Sequence, residues 1–480
     1  MMVFLAALLF AFITWRRFHL GIFFLFLLLP TYLIRFTVGP IPTTFLEVMI
    51  LIVILVWIFQ ISDFRFQNIK KIFQSFNLHP QSYLLVAGIA LFLLGATINI
   101  FTGTDIRAAL GEWKAFYVEP TILFFILISF FRTSKLYPIP YTLYPILISG
   151  LATSLLAIYQ HYTGFMVPWK FWDNGGSFRV TGWYGFPNAI GLFLAPLVPL
   201  AIFLASHAWK EINKKNQNQK IQDTNKFQIQ KLKIWNWSLF VSCFLFLVSS
   251  PLAILFAKST GGLVGLAAGI LFLLLMYKKT RWPVIIVGLV SLISLPTNNP
   301  IKQELLAQNR SGQIRVAIWK ETANLLSDRP LTGAGLASYQ ERIKPYHRTV
   351  NGEGIEIFHH PHNIFLTMWV NTGILGLIGF LGILMWFYKT GLKDFRFQIS
   401  DFRLRNAKNN NLQSPISNLQ FFLLASMTTL LVTGLVDSPY IKNDLAIVFW
   451  VLIALTVLTR TDVRYSADDT NVWSGERQFA

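Results

Sequence analysis

Apolar runs recur along this chain from Val3 to Leu458, and few charges interrupt them. Charged residues make up 13% of the 480 and hydrophobic residues 54%, whereas a soluble domain carries about 25% charged residues. Inside a bilayer every backbone N–H and C=O must be satisfied within the segment, which leaves helices for runs of this length. The fold class that follows is all-α: a polytopic transmembrane helical bundle. An ordinary soluble enzyme, a disordered chain, a small secreted module and a single-pass receptor are all excluded by the same pattern.

The candidate spans are 3–14, 20–36, 44–60, 83–101, 115–131, 141–160, 185–208, 236–257, 261–277, 283–296, 363–388, 419–437 and 444–459. A full crossing needs about 20 residues. Runs 3–14 and 283–296 are short, so the expectation is about 12 spans, with the first run a half-span or an interfacial helix. Run 3–14 does not read as a cleavable signal, because its charges, Arg16 and Arg17, follow the apolar stretch. The lone cysteine, Cys243, permits neither an intrachain disulfide nor a thiolate cluster.

Net charge is +19, and its placement sets the topology. The segments containing Arg16, Lys70, Arg132, Lys214, Lys278, Arg396 and Arg460 are every second loop along the chain and hold 26 of the 41 basic residues. They are assigned to the cytoplasmic side. The basic excess then faces anionic membrane lipid, and nucleic acid is not an expected partner. Two of these loops, Lys210–Lys233 and Lys389–Gln420, are polar and low in complexity. The second repeats the Asp-Phe-Arg-Phe-Gln peptide of Asp63–Gln67; both read as solvated spacers.

The expected organisation is a first bundle part (1–296), an extracytoplasmic loop (297–362), a last bundle part (363–460) and a cytoplasmic tail (461–480). The loop has 66 residues and its own periodicity. Gln313–Ser327 reads as a helix with Ile314, Ile318 and Leu325 on one stripe and Arg315, Lys320 and Glu321 off it. Gly333-Ala334-Gly335 reads as a tight turn with exposed N–H groups. A long ordered loop of this kind is a candidate functional element.

Four stretches converge on the outer boundary in this topology. Arg179 precedes Trp183, Pro187 and Asn188, where a guanidinium reaches a phosphate or simply snorkels beside aromatic residues. Lys258-Ser259-Thr260-Gly261 is a turn that sets a cation beside a helix N-terminus. Arg315, Trp319 and Lys320 share the loop helix. His359-His360-Pro361-His362-Asn363 stands where the loop re-enters the membrane. Histidine suits proton removal from a hydroxyl near neutral pH, and Asn363 suits a helix cap. No carboxylate sits at ligand spacing beside these histidines, so no metal and no cofactor are expected. Few ionisable residues lie deep in the spans; Glu47, Asp437 and Asp444 fall near outer ends. That counts against an ion-coupled transporter. Cations for a diphosphate, a membrane for a lipid tail and a histidine for a sugar hydroxyl together fit glycan transfer from a polyprenyl diphosphate.

These residues resemble the O-antigen ligase / O-antigen polymerase family of integral-membrane glycosyltransferases. The resemblance rests on Arg179…Gly182…Pro187-Asn188, on Ser259-Thr260-Gly261 and on Arg315-x-x-Ile318-Trp319 leading to Pro330-Leu331-x-Gly333-x-Gly335. His362-Asn363-x-Phe365-Leu366 with Gly373-x-x-Gly376 completes it, over roughly residues 150–390. It implies about 12 helices with a large periplasmic loop, an inner-membrane location and a metal-independent, inverting transfer. It implies a polyprenyl-diphosphate-linked glycan donor and a glycan or lipid A-core acceptor. Carried over, Arg179 holds the diphosphate, His362 activates the acceptor hydroxyl and Arg315 lines the cavity. Lys258, Ser259, Thr260, Asn188, Gly333, Gly335 and Asn363 are the expected substrate-binding residues. The family commonly carries a basic residue directly after the turn serine; here it is Thr260, and the nearest cation is Lys258. Ligase and polymerase share these features, and a transporter or flippase for the same lipid-linked sugar is the alternative of a different class.

Overall fold

The computed structural model describes residues 2–39, 41–63, 82–134, 136–167, 178–213, 226–294, 310–350, 353–354, 356–405 and 416–459. The Asp-Phe-Arg-Phe-Gln copy at Asp63–Gln67 beyond its first residue, parts of both low-complexity loops, the start of the outer loop and the tail expected at 461–480 lie outside them.

The chain opens with α1 (Met2–Arg16) and α2 (Phe18–Leu27), then a hairpin of β1 (Arg35–Val38) and β2 (Ile41–Thr44). It continues through α3 (Phe45–Asp63), α4 (Tyr83–Phe101), α5 (Ile106–Glu112), α6 (Glu119–Ser134), α7 (Ile139–Thr163), α8 (Asn188–Leu194) and α9 (Leu197–Asn213). Next come α10 (Lys226–Phe256), α11 (Thr260–Met276) and α12 (Lys278–Ser294). The outer loop holds α13 (Arg310–Asp328), α14 (Tyr339–Ile343) and a two-residue ladder, β3 (Thr349–Val350) with β4 (Glu353–Gly354). The bundle closes with α15 (Ile364–Arg405), α16 (Ile416–Thr433) and α17 (Asn443–Leu458).

The protein is an all-α polytopic bundle, and its helix lengths differ from the expected count. Among the described residues six helical segments are long and apolar enough to cross a membrane: Tyr83–Phe101, Ile106–Ser134, Ile139–Thr163, Asn188–Asn213, Ile234–Phe256 and Ile364–Lys393. Six more apolar helices are shorter, at 10–17 residues. The run 20–36, expected as a span, shows why. Its helix stops at Leu27, a 3-10 turn over Leu29–Leu33 follows with Pro30 in its first positions, and the chain leaves as β1. Proline suits the first turn of a helix and cannot continue one. The antiparallel hairpin then pairs Arg35 with Thr44 and Val38 with Ile41, with Gly39 at φ +59° in the turn.

Two features position the end of the bundle that carries the loop. The first is close packing of α4 on α15. A Cβ on Gly88 would stand 3.0 Å from the Gly379 carbonyl, and one on Gly95 would stand 2.7 Å from the Gly376 Cα. Small residues at such a crossing let two backbones approach within van der Waals contact. The second is a break in α15 at Gly373, where φ is +66° and ψ −174°. A break frees backbone groups that the membrane cannot satisfy, and the outer loop takes them. Ile374 N–H donates to the Leu331 carbonyl (3.0 Å), while Ala334 and Gly335 N–H both donate to Val370 (2.8 and 3.1 Å).

This corrects the reading of Gly333-Ala334-Gly335 as a turn with free N–H groups. All three residues are buried, and Gly333 N–H is taken by the Arg329 carbonyl at 2.9 Å. The glycines are there for approach: a Cβ on Gly335 would meet Gly103 N at 2.9 Å. The loop helix runs Arg310–Asp328, slightly longer than expected, with Ile318 and Leu325 buried as the stripe required. Glu321, expected off the stripe, is 4% exposed. It is buried because it accepts Arg348 N–H at 2.7 Å and faces His347 Nδ1 at 3.2 Å. Leu325, Leu326, Ala334, Tyr339 and Ile343 form a small outer core that shares Val370 with the span.

The α4–α15 contact gives a direct test. Gly379→Val forces a side chain against the Phe92 Cα, which stands 2.8 Å from the added Cβ. It is expected to cost about 1–3 kcal/mol and lower the melting temperature in detergent. Gly288→Ala, with nothing within 4 Å, serves as the control that leaves melting unchanged.

Candidate functional site

The segment 178–188 is held from below by α7. Gln160 is fully buried and its Oε1 accepts N–H from Thr181 (2.7 Å) and Gly182 (2.9 Å). Gly182 takes φ +59°, the left-handed turn that brings the chain round to Pro187 and α8. Arg179 is thereby aimed at the turn between α10 and α11. Its Nε donates to the Ala257 carbonyl (2.8 Å), and its Nη2 donates to the Lys258 carbonyl (3.1 Å) and to Asn188 Oδ1 (2.8 Å). Lys258 has φ +48°, which turns its carbonyl to the guanidinium, while the residue itself is exposed. Ser259 is 3% exposed. The turn therefore meets Arg179 through carbonyls and not through its lysine.

Asn188 passes the contact on: its Nδ2 donates to Asp437 Oδ2 at 3.1 Å. Asp437, in the turn after α16, is 4% exposed and accepts Ser438 N–H through Oδ1 at 2.8 Å. The same oxygen lies 3.3 Å from His362 Nδ1. An unbroken polar chain thus runs from Arg179 through Asn188 and Asp437 to His362. His362 takes φ +47° and packs edge-on against Phe358 and His360, with ring centroids 4.8 and 4.7 Å away. The loop helix is tied in by Trp319, whose Nε1 donates to the Pro361 carbonyl at 3.0 Å. Arg315 lies one helical turn before Trp319 and within charge range of Arg179.

The electrostatics assign protons. Burial alone would raise the Asp437 carboxyl, but the hydrogen bond from His362, the charge its ring carries when protonated and the Ser438 N–H hold it well below the usual range. It is therefore an anion and can only accept. His362 Nδ1 then donates to it, so that in the neutral ring the lone pair lies on Nε2. His360 is lowered to about 3, first by burial and then by the charge of His362, so it is neutral near pH 7. Arg179 is lowered by burial and by Arg315; a guanidinium stays cationic through such a shift. The arrangement offers an oriented base beside two arginines.

Of the residues expected here, Arg179, Asn188 and His362 are joined by hydrogen bonds, and Arg315 stands near Arg179. Asn363 has a structural role: its Oδ1 caps α15 by accepting N–H from Phe365 (3.0 Å) and Leu366 (3.1 Å). Gly333 and Gly335 serve the α15 break. Asp437 was read only as a carboxylate near an outer end, because 75 residues separate it from His362. It also changes the metal argument. His360, His362 and Asp437 place ligand atoms within 4.8 Å of one another, so the fold supplies the carboxylate that local spacing lacked. His362 Nδ1 and Asp437 Oδ1 already face each other at 3.3 Å, while His360 Nδ1 accepts the His362 backbone N–H at 3.4 Å.

A family model described as O-Antigen ligase matches residues 244–381. The matched segment contains the Lys258 turn, the loop helix, the Gly333–Gly335 turn and His362, and stops short of Arg179, Asn188 and Asp437. No curated protein matches the chain.

The two depressed pKa values make acid destabilising. The unfolded chain binds His360's proton below its ordinary 6.5, whereas the fold resists it down to about 3. That contribution is fully present above about pH 6.5 and is lost as pH falls toward 3. Asp437 adds a further loss below its ordinary 3.8. Melting temperature should fall between pH 6.5 and 4, and His360→Gln should flatten that slope; identical slopes would place His360 in free exchange with solvent.

Proposed function

We propose, from the premise that residues 244–381 belong to the O-antigen ligase and polymerase family of membrane enzymes, that this protein is a glycosyltransferase of the inner membrane. It moves a glycan from a polyprenyl diphosphate carrier to an acceptor hydroxyl at the outer face, with the loop 297–362 on that side and about 12 helices crossing in all. The observation that carries the reading is the polar chain from Arg179 through Asn188 and Asp437 to His362. An imidazole and a cation linked by one run of hydrogen bonds support a reading in which a diphosphate is displaced.

The acceptor O–H gives its proton to His362 Nε2 as its oxygen bonds to the anomeric carbon. The bond from that carbon to the diphosphate oxygen breaks, and the electron pair leaves with the diphosphate. A single displacement inverts the anomeric centre. Charge grows on the leaving group, and Arg179 and Arg315 stabilise it more in the transition state than in the bound donor. Removing one such donor costs on the order of 10²–10³ in rate. The ordered loop keeps water from the donor. The chemistry needs no metal, and the membrane lipid supplies the carrier's surroundings.

Purified protein given a labelled carrier-linked glycan, with either a lipid A-core acceptor or a second carrier-linked repeat, tests this. Product on the first acceptor makes it a ligase, on the second a polymerase; none on either defeats the reading. Arg179→Ala should lose about 10²–10³ of kcat and His362→Ala about 10²–10⁴. Asp437→Asn removes the anion that sets the imidazole tautomer and should lose a comparable factor with donor KM little changed. Transfer should persist in excess EDTA, and its loss there would return His360, His362 and Asp437 to the role of metal ligands.

A further inference from the structure

The turn that carries Asp437 ends at Lys442, the residue before α17. Its path is rigid. Ser438 Oγ and Thr367 Oγ1 lie 2.7 Å apart. Tyr440 is fully buried; its hydroxyl donates to the Phe116 carbonyl at 2.8 Å and accepts Trp450 Nε1 at 3.0 Å. Lys442 N–H donates to the Tyr440 carbonyl at 2.8 Å. Lys442 is thus set as firmly as Asp437.

Its side chain reaches back toward the site. Nζ lies over the Phe186 ring, 5.3 Å from the centroid, and Phe186 is two residues from Asn188, the link between Arg179 and Asp437. Lys442 is half-buried. Among the described residues it has no carboxylate within ion-pair distance. Asp444, Glu112 and Asp437 act on it only at longer range, and Arg35 opposes them. A cation drawn out of water without a direct counter-ion costs free energy unless something anionic joins it, and burial accordingly lowers its proton affinity. Lys258 is exposed and Thr260 uncharged, so the turn beside Arg179 leaves room in the charge balance for a cation from elsewhere.

We propose that Lys442 is a phosphate-binding residue of this site, gripping the carrier diphosphate from the α17 side while Arg179 and Arg315 hold it from the other elements. The inference rests on the diphosphate donor read above. Lys442 over Phe186 adds a cation beside the Arg179–Asn188 contact, and a diphosphate diester, which carries two negative charges, is the ligand that cations at this site suit. Lys442 lies outside the 244–381 segment, and its contribution comes through the fold alone.

The test is binding of a polyprenyl diphosphate and of the monophosphate of equal chain length to full-length protein in nanodiscs. Lys442→Met keeps the aliphatic stem over Phe186 and removes the charge. It should weaken the diphosphate about tenfold or more, the worth of a charge-assisted hydrogen bond, and weaken the monophosphate less. Lys442→Arg should restore most of the affinity, and melting of both variants should match wild type. Wild-type diphosphate affinity in Lys442→Met overturns the assignment and leaves the donor reading standing. Loss of both lipids equally, with a lowered melting temperature that Lys442→Arg restores without restoring binding, assigns Lys442 a structural role and also overturns it. If wild-type protein binds neither lipid, the donor reading itself falls and this inference with it.

Discussion

A buried carboxylate must be matched, and the matching of Asp437 organises the end of the bundle that carries the loop. Its two oxygens engage the Asn188 amide, the Ser438 N–H and the His362 ring. Left unmatched, a charge at 4% exposure would cost several kcal/mol. Each partner comes from a different element: the α8 N-terminus, the turn after α16 and the loop's re-entry point. Satisfying one charge therefore fixes three segments, and the Asn188 amide extends the constraint to Arg179. The imidazole is oriented by the same contact that helps to satisfy the carboxylate.

The outer loop is held by a second unsatisfied set. The break at Gly373 frees carbonyl and N–H groups of α15, and Leu331, Ala334 and Gly335 occupy them. That docking, together with the Trp319–Pro361 bond, places Arg315 near Arg179. The loop is thus part of the bundle's hydrogen bonding, and a loop so fastened can exclude water from a reactive donor. The small core under α13 borrows Val370 from the span itself.

Much of this was legible in the chain. Apolar runs gave the class, the stripe of Ile318 and Leu325 gave the loop helix, and Asn363 before an apolar run gave the α15 cap. Arg179, Arg315 and His362 were singled out as groups suited to one outer site. Other readings failed for reasons of contact. Glu321 is buried because His347 and Arg348 approach it from 26 and 27 residues away. Gly333 and Gly335 look like an anion-binding turn until the Val370 carbonyl takes the N–H groups of Ala334 and Gly335 and the Arg329 carbonyl takes that of Gly333. The run 20–36 has the hydropathy of a span, but Pro30 ends the helix early.

Composition and hydropathy alone determined that this chain lives in a membrane as helices, because a bilayer admits no other way to satisfy so much backbone. Basic-residue placement gave an expected orientation, and residue chemistry gave the kind of group that the loop-bearing end offers. Only the tertiary structure decided which groups meet. Asp437 reaches His362 across 75 residues and Asn188 across 249, and Lys442 crosses to Phe186. Such pairings depend on the angles at which helices cross, and these follow from glycine contacts and buried polar bonds that have no periodicity to read along the chain.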